Sequence, residues 1–207
     1  MKRRQVISPD ASYTFADYFK LNAEIEDILA YFDYTFQAQK LSLPRAAIDA
    51  VRIDDLRTRL DDGLPWVGLT SEMARREFLI APVLWEVVRL THTKIRVEYN
   101  FEVDNHLKGT LDYFLRGQRN ILVVEAKNGD LTRGFTQLAV ELIALDKWED
   151  ETPEVLYGAV SMGDIWQFGM LHRAQRLIQQ DLNLFRVPDD LKDVLGILVA
   201  CLTVSQN

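Results

Sequence analysis

The run Asn120-Ile121-Leu122-Val123-Val124-Glu125-Ala126-Lys127 constrains the chain more than any other stretch. Side chains alternate along a strand, so Ile121, Val123, Glu125 and Lys127 share one face and Leu122, Val124 and Ala126 the other. Before Glu125 the run is apolar on both faces, the pattern of a strand covered from each side. At its end a carboxylate and an ammonium emerge together, just before Asn128-Gly129-Asp130 turns the chain. An ionised pair at such a place is costly unless it is paired, binds metal or takes part in chemistry.

A second strand-like run, Gly109-Thr110-Leu111-Asp112-Tyr113-Phe114-Leu115, lies just upstream. Twelve residues separate Asp112 from Glu125, a spacing that suits adjacent strands joined by a tight turn at Arg116–Arg119. The two carboxylates could then face one another and hold a hard divalent cation through oxygen, with Lys127 in the same pocket. The residues alone leave a second reading open, a surface hairpin bearing an Asp and a Glu/Lys pair.

Asp112 followed by Glu125-x-Lys127 resembles the signature of the PD-(D/E)XK nuclease superfamily. The fuller wording, Gly-Thr-Leu-Asp112-Tyr, then Val-Val-Glu125-Ala-Lys127, then Gln137, is similar to the N-terminal nuclease domain of type I restriction motor subunits and their stand-alone relatives. Leu111 stands where the signature has Pro, a position that varies in the superfamily. Tyr157-Gly-Ala-Val-Ser-Met-Gly-Asp-Ile-Trp-Gln-Phe168 resembles the same domain, as does Ser71-Glu72-x-x-x-Arg76 before an apolar run. The resemblance covers roughly residues 70–170.

The order of elements can be read alongside. Residues 1–69 read as a helical extension, with Tyr18, Phe19, Ile25, Ile28, Leu29, Phe32 and Phe36 at helical spacing between Phe15 and Leu41. Pro44 opens a second helical segment that ends at Asp61-Asp62-Gly63, and residues 61–70 form a linker before a domain over 70–207. Ser71 caps a helix running towards Leu90, bent at Pro82. Lys94–Val103 alternates as a half-exposed strand, with Ile95, Val97, Tyr99, Phe101 and Val103 on one face. Strands follow over Leu107–Leu115 and up to Lys127, then a helix over Thr132–Asp146 with Phe135, Leu138, Leu142 and Leu145 as its buried stripe. Val155–Ser161 is a further strand, Gly163-Asp164 makes a hairpin turn, residues 171–186 read as either strand or helix, and Pro188-Asp189-Asp190 starts a closing helix. His106 sits in turn-forming sequence and reads as solvent-exposed.

The class expected is therefore α/β (α+β): a mixed β-sheet flanked by helices, with an N-terminal helical extension. By resemblance the core is restriction-endonuclease-like, in the order αβββαβ. The resemblance further implies a deoxyribonuclease that hydrolyses phosphodiester bonds in DNA, for restriction or repair. Asp112, Glu125 and the Ala126 backbone carbonyl would hold Mg2+ (or Mn2+), with Lys127 and Gln137 completing the catalytic set. Glu72 is the first choice for an additional metal ligand and Glu77 the reserve, although Glu72 equally suits simple charge compensation at a helix N-terminus. A surface Gln would look the same as Gln137. The alternative function is a catalytically silent nuclease-fold interaction module within a larger DNA-processing assembly, with an unidentified specificity or motor partner.

Composition bounds these expectations. A chain of 207 residues with 48% hydrophobic content can bury a substantial core. It shows no bilayer-spanning run, and the basic Met1–Arg4 stretch is not followed by a signal-peptide apolar region. A lone Cys201 excludes an internal disulfide and suits a cytoplasmic setting. The net charge of −7 argues against tight, non-specific coating of DNA. Residues 94–133 nonetheless carry seven basic residues against six acidic ones. Neither a G-x-G-x-x-G nor a P-loop occurs, so nucleotide-cofactor chemistry is not expected. The aromatic stripe between Tyr13 and Phe36 would either join two copies into a homodimer or cover the sheet of its own chain.

Overall fold

The computed structural model describes residues 6–117, 121–127, 129–148 and 153–203. The Met1–Arg4 stretch, turn residues Gln118 and Arg119, and Asn128 lie outside the described residues. Helices α1 (Phe15–Lys20) and α2 (Ile25–Tyr31) precede strand β1 (Thr35–Gln39) and helix α3 (Ala50–Gly63). Helix α4 (Glu72–Arg75) continues through a π-helical segment, Arg76–Ile80, into α5 (Ala81–Thr91). Strands β2 (Lys94–Glu102), β3 (Lys108–Arg116) and β4 (Ile121–Ala126) follow, then α6 (Leu131–Trp148). The chain closes with β5 (Val155–Ser161), β6 (Ile165–His172), β7 (Leu177–Asp181), β8 (Phe185–Arg186) and α7 (Leu191–Thr203).

The eight strands among the described residues form one mixed sheet, ordered β1-β7-β6-β5-β4-β3-β2, with β8 beside β6. Neighbours are antiparallel except β4 with β5 and β1 with β7, which are parallel. A parallel pair cannot be joined by a tight turn, and α6 makes the crossover from β4 to β5. The sheet is buried on both faces. On one, Tyr113, Leu115, Leu122, Val124 and Ala126 pack against α3, α5 and α7. On the other, Leu111, Phe114, Leu156 and Val160 pack against α6, which α1 and α2 cover in turn. The fold is thus mixed α/β, with helices on both faces of the sheet. Among the described residues, no helix is long and apolar enough to cross a membrane.

Most boundaries follow the sequence pattern, with corrections where pairing overrides it. Phe36 keeps the helical spacing of its neighbours, yet Thr35–Gln39 is a strand, because the edge of β7 offers it five backbone partners. The second helix begins at Ala50 rather than Pro44, capped by Asp49, whose carboxylate accepts the Val51 N–H at 2.9 Å. Residues 171–186 supply β7 and β8. The Ser71 hydroxyl does accept the Ala74 N–H, at 3.1 Å. Pro82, which has no N–H to donate, sits just inside α5, and the wider π turns precede it. His106 is half-buried rather than exposed, stacked on Tyr13 with ring centroids 5.7 Å apart. Phe15, Tyr18, Leu29 and Phe32 are buried in the same core as α6, so this aromatic surface covers its own chain.

One correction changes the sheet itself. The alternation of β2 predicts a single apolar face, but Ile95 packs with the α5/α7 core whereas Tyr99, Phe101 and Val103 pack with the α6 core. The strand changes face at Glu98, whose φ of +51° is a left-handed conformation. The β2/β3 ladder pairs Val97 with Tyr113 and Tyr99 with Leu111, passing over the Glu98/Asp112 rung. On β3 the switch falls at the same place, with Leu111 in the α6 core and Tyr113 in the other. A Cβ-bearing residue in this conformation is strained by about 1–2 kcal/mol, and glycine is not. Glu98→Gly should therefore raise stability by about 0.5–1 kcal/mol, net of its exposed ion pair, read as a higher urea midpoint at unchanged m-value.

Candidate active site

The kinked rung opens onto the end of β4. The ladder pairs Tyr113 with Val124, and one step further along that register Asp112 stands opposite Glu125. There the side chain replaces backbone pairing: Asp112 Oδ2 accepts the Ala126 N–H at 2.9 Å. On the other side of β4, the Lys127 N–H donates to the Ser161 carbonyl at 2.8 Å. Strand alternation sends Ala126 into the α5/α7 core and Glu125 towards α6.

Glu125 is 1% exposed. Its Oε1 accepts from Gln137 Nε2 at 2.5 Å and lies 2.5 Å from Lys127 Nζ. Gln137 Nε2 also donates to Glu141 Oε1 at 2.9 Å. Residues four apart stand above one another on a helix, so α6 presents Gln137 and Glu141 as a pair to the end of β4. The approach is close because residue 134 is glycine. A Cβ there would lie 2.9 Å from Val160 Cγ1 and 3.0 Å from Lys127 Cγ. Above the site, Lys127 Nζ lies 5.2 Å from the centroid of the Phe19 ring on α1, within the range of a cation–π contact.

Three oxygens of this cluster are buried without a hydrogen-bond partner: Glu125 Oε2, Gln137 Oε1 and Glu141 Oε2. All are acceptors. Burial pushes the Glu125 carboxyl well above the usual range, the charges of Glu141 and Asp112 add to this, and Lys127 opposes it. Burial likewise pushes Glu141 up to about 8, with Asp112 adding to the shift and the Gln137 hydrogen bond opposing it. For Lys127, burial favours the neutral amine, but Glu125, Asp112 and Glu72 outweigh it and hold the ammonium above its ordinary value. Lys127 is a cation at neutral pH.

Asp112, Glu125, Ala126, Lys127 and Gln137 are therefore neighbours. Glu72, at the start of α4, acts at the margin through its charge on Lys127. Glu77 is exposed and lines a groove with Arg59, Phe78 and Pro82. Among the described residues, no group of three or more His, Cys, Asp or Glu side chains is arranged to hold a metal ion.

Sequence reasoning missed three residues here. Glu141 falls within the apolar stripe of α6, between Leu138 and Leu142, and a charge in that place was the available signal. Arg76 belongs to the quoted Ser71-Glu72-x-x-x-Arg76 run but had no assigned role. Its Nη1 lies 3.2 Å from Glu98 Oε1 and 3.7 Å from Asp112 Oδ1. Glu98 carried no signal, since nothing marks a Glu for positive φ. No protein-family model matches the chain, and a search of curated proteins gives no match.

Glu141 gives a test by pH. Its acid is weaker in the folded chain, at about 8, than in the unfolded chain, at about 4.3. The folded state therefore holds a proton that the unfolded state has released between these values. Stability should fall as pH rises through that window, by up to about 1.4 kcal/mol per unit for one proton. Glu141→Gln, which cannot ionise, should flatten the slope in urea titrations run from about pH 5 to about pH 8.

Proposed function

We propose that the chain is a metal-dependent nuclease of the restriction-endonuclease-like type, hydrolysing phosphodiester bonds in DNA. The observation that carries this reading is the meeting of Asp112, Glu125 and Lys127, with Gln137 behind them, where strand pairing gives out. The element order supports it: a helix, three antiparallel strands, a crossover helix and a strand parallel to the third match the αβββαβ arrangement of that fold.

The donor set suits Mg2+ or Mn2+ in kind. Asp112 offers carboxylate oxygens and Glu125 an unpartnered Oε2, and hard oxygen is what these ions take. Two carboxylates are enough, because Mg2+ is held by one or two of them together with water and substrate phosphate. Asp112, Glu125 and the Ala126 carbonyl would hold the ion, with Glu72 at its margin. Once bound, the ion would lower the pKa of a coordinated water and offset charge on the phosphate. Gln137 fixes the Glu125 carboxylate through its amide. Lys127, kept protonated by its acidic neighbours, acts as a fixed positive charge towards the phosphate rather than as a general base.

The test is incubation of the purified protein with supercoiled, linear and single-stranded DNA in Mg2+, in Mn2+ and in EDTA. Asp112→Ala should lose both metal binding and cleavage. Lys127→Ala should keep its fold and its metal but cut at least about a hundredfold more slowly, the cost of one electrostatic contact to the transition state. Wild-type rates in either variant would assign the cutting to a contaminant. DNA binding without any metal-dependent cleavage would favour the silent interaction module instead.

A further inference from the structure

We propose that Arg76 is a second phosphate-binding cation of this site, with Glu98 as the partner it releases on binding DNA; this rests on the nuclease reading above. Arg76 lies in the π-helical segment, and its guanidinium carbon stands 5.3 Å from the centroid of the Tyr113 ring. Its side chain is only 11% exposed, whereas that of Glu98 is 61% exposed. The guanidinium therefore rests on a wall of the site while its nearest counter-charge stands in solvent.

That asymmetry makes the partner exchangeable. An exposed ion pair contributes little, because water screens it and competes for both groups. A phosphate oxygen at the mouth of the site can take the place of Glu98 while the ring contact with Tyr113 stays intact. Both carboxylate contacts use Nη1. A guanidinium carries five N–H donors in a planar fork that matches two phosphate oxygens at once. Arg76 Nη1 lies 3.7 Å from Asp112 Oδ1, and Asp112 Oδ2 accepts the N–H of Ala126, the residue before Lys127. A phosphodiester held at Asp112 would meet both positive charges.

The kink at Glu98 bears on the same contact. Its rung is missing from the β2/β3 ladder, and its backbone is held in a left-handed conformation. The kink that carries Tyr99 and Phe101 into the α6 core also brings the Glu98 carboxylate to Arg76. Strain of this kind gathers at binding and catalytic sites.

The experiment measures DNA binding in the Lys127→Ala background, where cutting is suppressed, by fluorescence anisotropy of a short labelled duplex across a salt series. Adding Arg76→Ala should weaken binding about tenfold, the value of one charge-assisted contact. It should also shrink the salt dependence by about one phosphate's worth. Arg76→Lys should recover only part of the affinity. Glu98→Gln leaves Arg76 in place without its competing charge, and should tighten binding. Thermal midpoints report whether each variant is folded, and the Lys variant carries the test if the Ala variant is not. Equal affinity and equal salt slope for the folded Arg76 variants would overturn the proposal while leaving the nuclease reading intact. Equal weakening by the Arg76 and Glu98 variants would make the pair a structural clamp and overturn it too. A wild-type protein that neither cuts nor binds DNA would remove the nuclease reading and this proposal with it.

Discussion

A carboxylate buried at the end of a sheet strand needs compensation, and much of this molecule is arranged around supplying it to Glu125. Taking an ionised carboxylate out of water costs several kcal/mol unless partners replace the lost hydration. Lys127 provides charge from the same strand, and Gln137 provides donors from the crossover helix. These partners set the path of the chain. The helix must cross directly over the end of β4, and Gly134 lets it come that close. The compensation is incomplete, since Glu125 Oε2 has no partner.

The elements that build this site were the legible part of the sequence. Strand alternation in Ile121–Ala126 and the apolar stripe of α6 are local patterns, and they survive because tertiary packing agrees with them. Val155–Ser161 was bounded correctly for the same reason. Where local and long-range preferences disagree, the sequence misleads. Thr35–Gln39 has helical spacing upstream of it, but pairing with β7 decides its conformation. Glu98 lies in a run that alternates without fault, so its left-handed backbone could not be foreseen. Glu141 is hidden in the sequence because a stripe is read by its apolar members, and it is the charged one among them.

The N-terminal segment shows a surface property that composition leaves open and packing decides. Its aromatic residues suggested either an interface or a cover, and they serve as a cover for α6. Phe19, at the end of that cover, reaches the ammonium of Lys127. The segment that carries no chemistry of its own thus forms one wall of the candidate site, and the position of Lys127 depends on residues more than a hundred positions away.

The kink at Glu98 also bears on how the protein behaves among copies of itself. β2 is a terminal strand of the sheet, and a long, flat terminal strand is a template for adding another chain. A left-handed residue at its midpoint breaks the row of backbone groups into two short pieces that point differently. Lys94, Glu98 and Glu102 line the same strand as exposed charges. A feature that shapes the candidate site from within thereby guards the sheet against edge-to-edge association from without.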